Sequence, residues 1–147
     1  KPTMPLKAYT EFSAFKLYLL DVGLLAAMSD LDAKSILDGN AIFIEFKGAL
    51  TEQYVLQQLV ANTEYTPYYF TETKSEGEID FLIQKGTNIV PIEVKAEENL
   101  KAKSLRVYCD KFKPQMAIRT SMSNYREQDW MVNVPLYILD KYLERAE

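Results

Sequence analysis

Glu78-Ile79-Asp80-Phe81-Leu82-Ile83-Gln84 and Ile89-Val90-Pro91-Ile92-Glu93-Val94-Lys95 are two apolar runs joined by Lys85-Gly86-Thr87-Asn88. Their β-forming residues and the glycine at the joint predict two strands and a connecting turn. Pro91 lies early in the second run, where the loss of an N–H is best tolerated. Side chains alternate along a strand, so Glu93 and Lys95 share a face and Val94 takes the other. If the runs pair as a hairpin, Asp80, thirteen residues before Glu93, comes alongside that pair. Two carboxylates and a lysine at one sheet edge are the groups needed to hold a divalent metal and activate a water for phosphodiester hydrolysis.

Outward from this stretch the pattern changes period. Residues 42–61 carry Leu50, Tyr54, Val55, Gln58 and Leu59 at helical spacing, with Thr51 near the start, Gly48 before it, and Glu52 on the helix. Thr66–Thr73 is a strand by composition, followed by a turn at Lys74-Ser75-Glu76-Gly77. Residues 98–113 predict a helix with Leu100, Leu105 and Tyr108 inward and Lys101, Lys103, Arg106 and Lys111 outward. A third core strand is expected over Gln115–Thr120, a polar mobile loop over Ser121–Asp129, a last strand over Val134–Leu139 and a closing helix over Asp140–Ala146. Toward the N-terminus, residues 1–14 read as an extended entry, Phe15–Leu20 as a short strand or the lead into a helix, and Leu24–Met28 as a short helix. Spaced apolar residues Leu31, Ile36 and Leu37 end at the turn signal Asp38-Gly39-Asn40. The order helix, three strands, helix, strand predicts an α/β fold, a central mixed sheet flanked by helices.

Composition removes whole classes of chemistry. The chain has 147 residues, one cysteine and no histidine. Catalysis by Ser-His or Cys-His and histidine metal ligation are therefore excluded, and a structural zinc site is not expected. Any metal must be held by oxygen, which favours Mg²⁺, Mn²⁺ or Ca²⁺. Lone Cys109 suits a reducing cytoplasm and reads as packing on a helix. A net charge of −4 argues against tight, sequence-independent DNA binding by this segment alone. No membrane span and no secretory signal are expected. The chain begins with Lys1 rather than Met, as expected of a piece of a longer protein.

An acid on a first helix, an Asp near the start of the second strand and Glu-x-Lys on the third resembles the PD-(D/E)XK nuclease superfamily. Glu52, Asp80, Glu93 and Lys95 carry that resemblance, with Ile79 standing where the superfamily usually has proline. More specifically, the chain looks like the C-terminal domain of unknown function attached to predicted prokaryotic AAA-type ATPases. The stretches that suggest this are Phe15-Lys16-Leu17-Tyr18, Asp21-Val22-Gly23-Leu24-Leu25, Gly48 through Leu59, Glu78-Ile79-Asp80-Phe81, Pro91-Ile92-Glu93-Val94-Lys95 and Val134-Pro135-Leu136-Tyr137. The resemblance implies a restriction-endonuclease-like fold in which Asp80, Glu93 and the Val94 carbonyl bind Mg²⁺ or Mn²⁺. It further implies that Lys95 orients or deprotonates the attacking water and that Glu52 completes the acidic shell. DNA would be the substrate and an ATPase domain in cis the partner. Residues 1–40 would be an N-terminal extension packing on or linking to that ATPase module, and residues 41–147 the nuclease-like domain. No P-loop run exists among the five glycines, so no ATP site is expected here.

Other readings stand beside this one. Buried Asp, Glu and Lys can form an ion-pair cluster that only fixes sheet register. Glu93 and Lys95 alone favour that reading; Asp80 and Glu52 at compatible places favour a metal site. A catalytically silent domain that recognises nucleic acid or protein for the ATPase is the main alternative, and support of oligomerisation is a third. The lysines of residues 101–113 read as a solvated helix face, or as a track for a phosphate backbone. Tyr65, Tyr68, Tyr69 and Phe70 read as strand packing, or as a stacking platform for bases. Trp130 reads as an anchor for a partner or a cap on the core.

Overall fold

A computed structural model describes residues 2–30, 41–72, 77–96 and 101–146. Six strands form one sheet: β1 (Tyr68–Thr71), β2 (Glu78–Lys85), β3 (Asn88–Lys95), β4 (Ile118–Ser121), β5 (Arg126–Gln128) and β6 (Met131–Pro135), in the spatial order β1-β2-β3-β4-β6-β5. The β1–β2, β2–β3 and β5–β6 pairs are antiparallel, and β3–β4 and β4–β6 are parallel. Helices α1 (Val22–Met28), α2 (Ala41–Asn62), α3 (Lys103–Phe112) and α4 (Leu139–Arg145) complete the described elements. This is the mixed, helix-flanked sheet that the order of elements predicts. Parallel strands need a crossover, and α3 supplies the one between β3 and β4.

Strand alternation divides the apolar side chains between two cores. Phe81, Ile83, Val90, Ile92, Ile118, Val132 and Val134 meet Val55 and Leu59 of α2 and Leu139 and Leu143 of α4. Leu82, Ala117 and Met131 meet Leu105 and Tyr108 of α3. The β2–β3 turn is short: Lys85 pairs with Asn88, leaving Gly86 and Thr87 as the loop, and Gly86 has φ 58. A side chain there would be strained, so glycine fixes the hairpin register on which Asp80, Glu93 and Lys95 depend.

Several expectations change in detail. The loop over Ser121–Asp129 contains β5, a polar edge strand paired with β6. The last strand starts at Met131, and residues 136–138 form a 3₁₀ turn instead of its end. Asn133 disguises that strand in the sequence. It is buried because Arg119 and Ser121 donate to its side-chain oxygen, while its NH₂ donates to the carbonyls of Ser123 and Asn124. Gly48 lies inside α2 rather than before it. Leu6–Tyr9 form a 3₁₀ turn within the expected extended entry, and Leu6 is buried in the α3-side core. Phe15–Leu20 forms neither strand nor helix. The expectations at Leu31, Ile36, Leu37, Asp38-Gly39-Asn40, Lys74-Ser75-Glu76 and Leu100 lie outside the described residues.

The α2 packing gives a direct test. Leu59 is fully buried and its neighbour Val60 largely exposed. Leu59→Ala should lower stability by about 3 kcal/mol in urea unfolding, whereas Val60→Ala should change it by less than about 0.5 kcal/mol.

Candidate functional site

Asp80 sits at an irregularity in β2. Tyr68 pairs with Leu82 and Phe70 with Ile79, so Asp80 and Phe81 together oppose Tyr69. This is a β-bulge, a device that re-aims side chains. Its effect is visible in the packing: Ile79 and Leu82, three residues apart, enter the same α3-side core. Regular alternation therefore fails at Asp80. Val90, Ile92 and Val94 pack toward α2, which puts Glu93 and Lys95 on the opposite face. Asp80 instead lines a cavity of about 150 Å³ with Lys16, Tyr18, Leu56 of α2 and Tyr69. Asp80, expected alongside Glu93 and Lys95, thus turns to the α2 side, whereas Glu93 and Lys95 take the α3 side.

The β2–β3 seam is tied by one bond: the Val94 N–H donates to Asp80 Oδ2 at 2.7 Å. Burial is the main force on the Asp80 carboxyl and raises its pKa to about 7; the charges of Glu93 and Glu52 add to the rise, while the Val94 N–H and the Lys16 ammonium oppose it. Glu93 is only 5% exposed. Its Oε1 meets the Lys95 ammonium at 2.7 Å, and its Oε2 is buried without a hydrogen-bond partner.

Glu52 belongs to an adjoining group on α2. Its Oε1 accepts from Lys16 Nζ at 3.1 Å and from the Tyr18 hydroxyl. Lys16 also pairs with Glu78 and lies over the Tyr69 ring, 5.4 Å from its centroid. Burial, followed by the bond to Glu52, holds the Tyr18 hydroxyl far above the ordinary tyrosine range, so it stays a donor. For Lys16 burial acts toward neutrality, but the bonds to Glu78 and Glu52 outweigh it and raise its pKa. Glu52 thus reaches Asp80 through its field, with Lys16 and Tyr18 as its bonded partners. Among the described residues no three His, Cys, Asp or Glu side chains form a group able to hold a metal.

Lys16, Tyr18 and Glu78 were not singled out as site residues by the sequence reading. The signal was present in Phe15-Lys16-Leu17-Tyr18, where polar groups alternate with apolar ones at strand period. Arg106 pairs with Asp110 and lies over Trp130, and Lys111 pairs with Glu72. Phe70 packs edge-on against Tyr108 and Phe112. Cys109 is half-buried on α3, and burial first, then Asp110, pushes its thiol up to about 11.

A family model described as a domain of unknown function (DUF4143) matches residues 47–139, more than half of the 147-residue chain, and takes in all six strands, α3 and α2 from residue 47 on. No curated protein and no solved structure matches the chain. No helix among the described residues is long and apolar enough to cross a membrane.

The Asp80 environment makes stability depend on pH. An unfolded Asp releases its proton near pH 4, whereas folded Asp80 keeps it to about 7. The folded state binds more protons between these values, so stability falls as pH rises through that window, and the full cost is present above it. Asp80→Asn keeps an acceptor for Val94 and removes the charge. It should be more stable than the parent by about 4 kcal/mol at pH 8, with the gap closing near pH 4, in urea unfolding at both pH values. A gap that does not change with pH would refute this account of Asp80.

Proposed function

This chain belongs to the DUF4143 family of domains of unknown function; we propose, from its own residues, that it is a nuclease-like domain, of restriction-endonuclease-like fold, that hydrolyses DNA phosphodiesters with a divalent cation as part of a larger ATPase. The observation that carries this reading is the unbalanced negative charge at the β2–β3 seam. Glu93 keeps a buried oxygen without a partner, and Asp80 is held partly protonated at neutral pH. Both conditions would be relieved by a cation. Carboxylate oxygen suits Mg²⁺ or Mn²⁺, and Mg²⁺ is commonly bound through one or two carboxylates together with waters and substrate phosphate. Asp80 and Glu93 would hold the ion, with the Val94 carbonyl as a further donor.

Such an ion supplies Lewis-acid polarisation of the phosphodiester. The chain's own groups divide the remaining work. The Lys95 ammonium, anchored 2.7 Å from Glu93 Oε1 and partly open to solvent, is available to an incoming phosphate or water. The Val94 N–H holds the Asp80 carboxylate in place through Oδ2.

A second reading, a catalytically silent recognition domain, is favoured by a different observation. Lys16 and Lys95 already pair with Glu52, Glu78 and Glu93, and among the described residues no three-acid ligand group is formed. Incubation of purified protein with plasmid DNA and Mg²⁺ or Mn²⁺ separates the two. The nuclease reading expects cleavage that falls at least about 100-fold in Asp80→Ala and in Lys95→Ala. Undiminished cleavage in both variants would reject these residues as the site, and no cleavage together with no Mn²⁺ binding by calorimetry would favour the silent domain.

A further inference from the structure

Another face of α2 carries a second cluster of polar groups. Tyr54, Gln58 and Ala61 recur there at helical spacing, and with Asn62, Tyr137 and Asp140 they line a cavity of about 230 Å³. This cavity shares no residue with the one beside Asp80, which takes Leu56 from α2 instead.

Two side chains in its wall are withdrawn from water and short of partners. Gln58 is 7% exposed. Its Nε2 donates to the Leu136 carbonyl at 2.8 Å, and that bond fixes which end of the amide is nitrogen. Its Oε1 is buried and has no hydrogen-bond partner. Asp140 is likewise 7% exposed. Its Oδ2 accepts from Asn62 Nδ2 at 3.0 Å and its Oδ1 from the Lys141 N–H at 2.8 Å. An ionised carboxylate can accept about twice as many bonds as that. Among the described residues no lysine or arginine pairs with Asp140. The Lys141 ammonium turns to Glu144, and that of Lys85 to the Leu143 carbonyl and the Tyr65 hydroxyl. A buried amide oxygen without a donor and a buried carboxylate without a counter-ion are both costly.

The unmet demand is of one kind, for N–H donors and a positive charge. A divalent metal ion answers it poorly, because Asp140 is the one acid in the wall and such ions take about six or more oxygens. A lysine ammonium is compact and strongly hydrated, whereas a guanidinium is planar, weakly hydrated and carries its donors in a fixed fork that also stacks on aromatic rings. Tyr54 and Tyr137 are 36% and 69% exposed and offer such rings. At about 230 Å³ the cavity falls below the roughly 300–1,000 Å³ of sites that enclose a whole small molecule, and suits a single side chain. The chain's net charge of −4 favours a basic partner.

We propose that the Gln58–Asp140 cavity binds the guanidinium of an arginine side chain presented by a partner protein. Asp140 receives the fork, Gln58 Oε1 accepts a further N–H, and the tyrosine rings cover the plane. Asn62 acts through Asp140, holding its carboxylate in place. The site does not depend on the Asp80–Glu93 reading and stands whether or not that seam binds a cation.

The test titrates the labelled whole chain with the tripeptide acetyl-Gly-Arg-Gly-amide, its lysine counterpart and agmatine, followed by nitrogen–proton correlation spectra. The arginine peptide should shift the side-chain amide signals of Gln58 and Asn62 saturably at millimolar concentration, and the lysine peptide should bind at least about fivefold more weakly. Asp140→Asn keeps an oxygen for Asn62 and removes the charge, and should weaken the arginine peptide about tenfold. No saturable shift at Gln58 and Asn62, equal binding of the two peptides, or unchanged affinity in Asp140→Asn overturns the proposal. Binding of agmatine with exclusion of the arginine peptide also overturns it and makes the cavity a small-molecule site. Should Asp140→Asn fail to fold, Tyr137→Ala carries the same test at an exposed position; arginine-peptide binding about threefold weaker is expected there, and unchanged affinity overturns the proposal.

Discussion

Holding carboxylates out of water beside other carboxylates is the constraint around which this structure is arranged. Asp80 and Glu93 lie on adjacent strands, both largely withdrawn from solvent, and the charge of Glu93 adds to the cost of ionising Asp80. Three local features offset part of that cost. The Val94 N–H binds Asp80, the Lys95 ammonium binds Glu93, and Lys16 lies within the field of Asp80 while bonding Glu52 and Glu78. The offset is incomplete, since one Glu93 oxygen has no partner. Natural proteins rarely leave a buried polar atom so placed without a reason, and sites that act on a ligand are where such imbalance collects.

The fold supplies this arrangement through backbone geometry. A two-residue turn at Gly86 fixes the β2–β3 register, and a bulge at Asp80 and Phe81 turns Asp80 toward α2. Without the bulge, Asp80 would follow Leu82 to the α3 face and lose its neighbourhood of Tyr18, Lys16 and Glu52. The cores on either side are then free to be conventional. Val55 and Leu59 close one and Leu105 and Tyr108 the other, and polar Asn133 is tolerated because each end of its amide is bonded.

Much of this can be read from residue order alone, and the parts that cannot have a common cause. The β2–β3 hairpin, α2 and the buried side of α3 follow from local periodicity, which is a property of neighbouring residues. The bulge leaves no periodic trace, because Glu78–Phe81 looks like any strand start, so alternation does not give the face that Asp80 takes. The pairing of Lys16 and Tyr18 with Glu52 spans more than thirty residues and is decided by tertiary packing. The start of β6 was hidden because a buried asparagine reads as a loop residue until its partners are known. β5 was hidden because an edge strand facing water need not carry apolar residues.

The central claim is that the β2–β3 seam is a cation site. Its most direct test is a Mn²⁺ titration followed by nitrogen–proton correlation spectra of the labelled chain. Paramagnetic broadening should reach the Asp80, Val94 and Lys95 amides first, at substoichiometric Mn²⁺. Broadening that begins instead at exposed acids such as Asp110 or Glu144, or that spreads evenly over the surface, would contradict the claim.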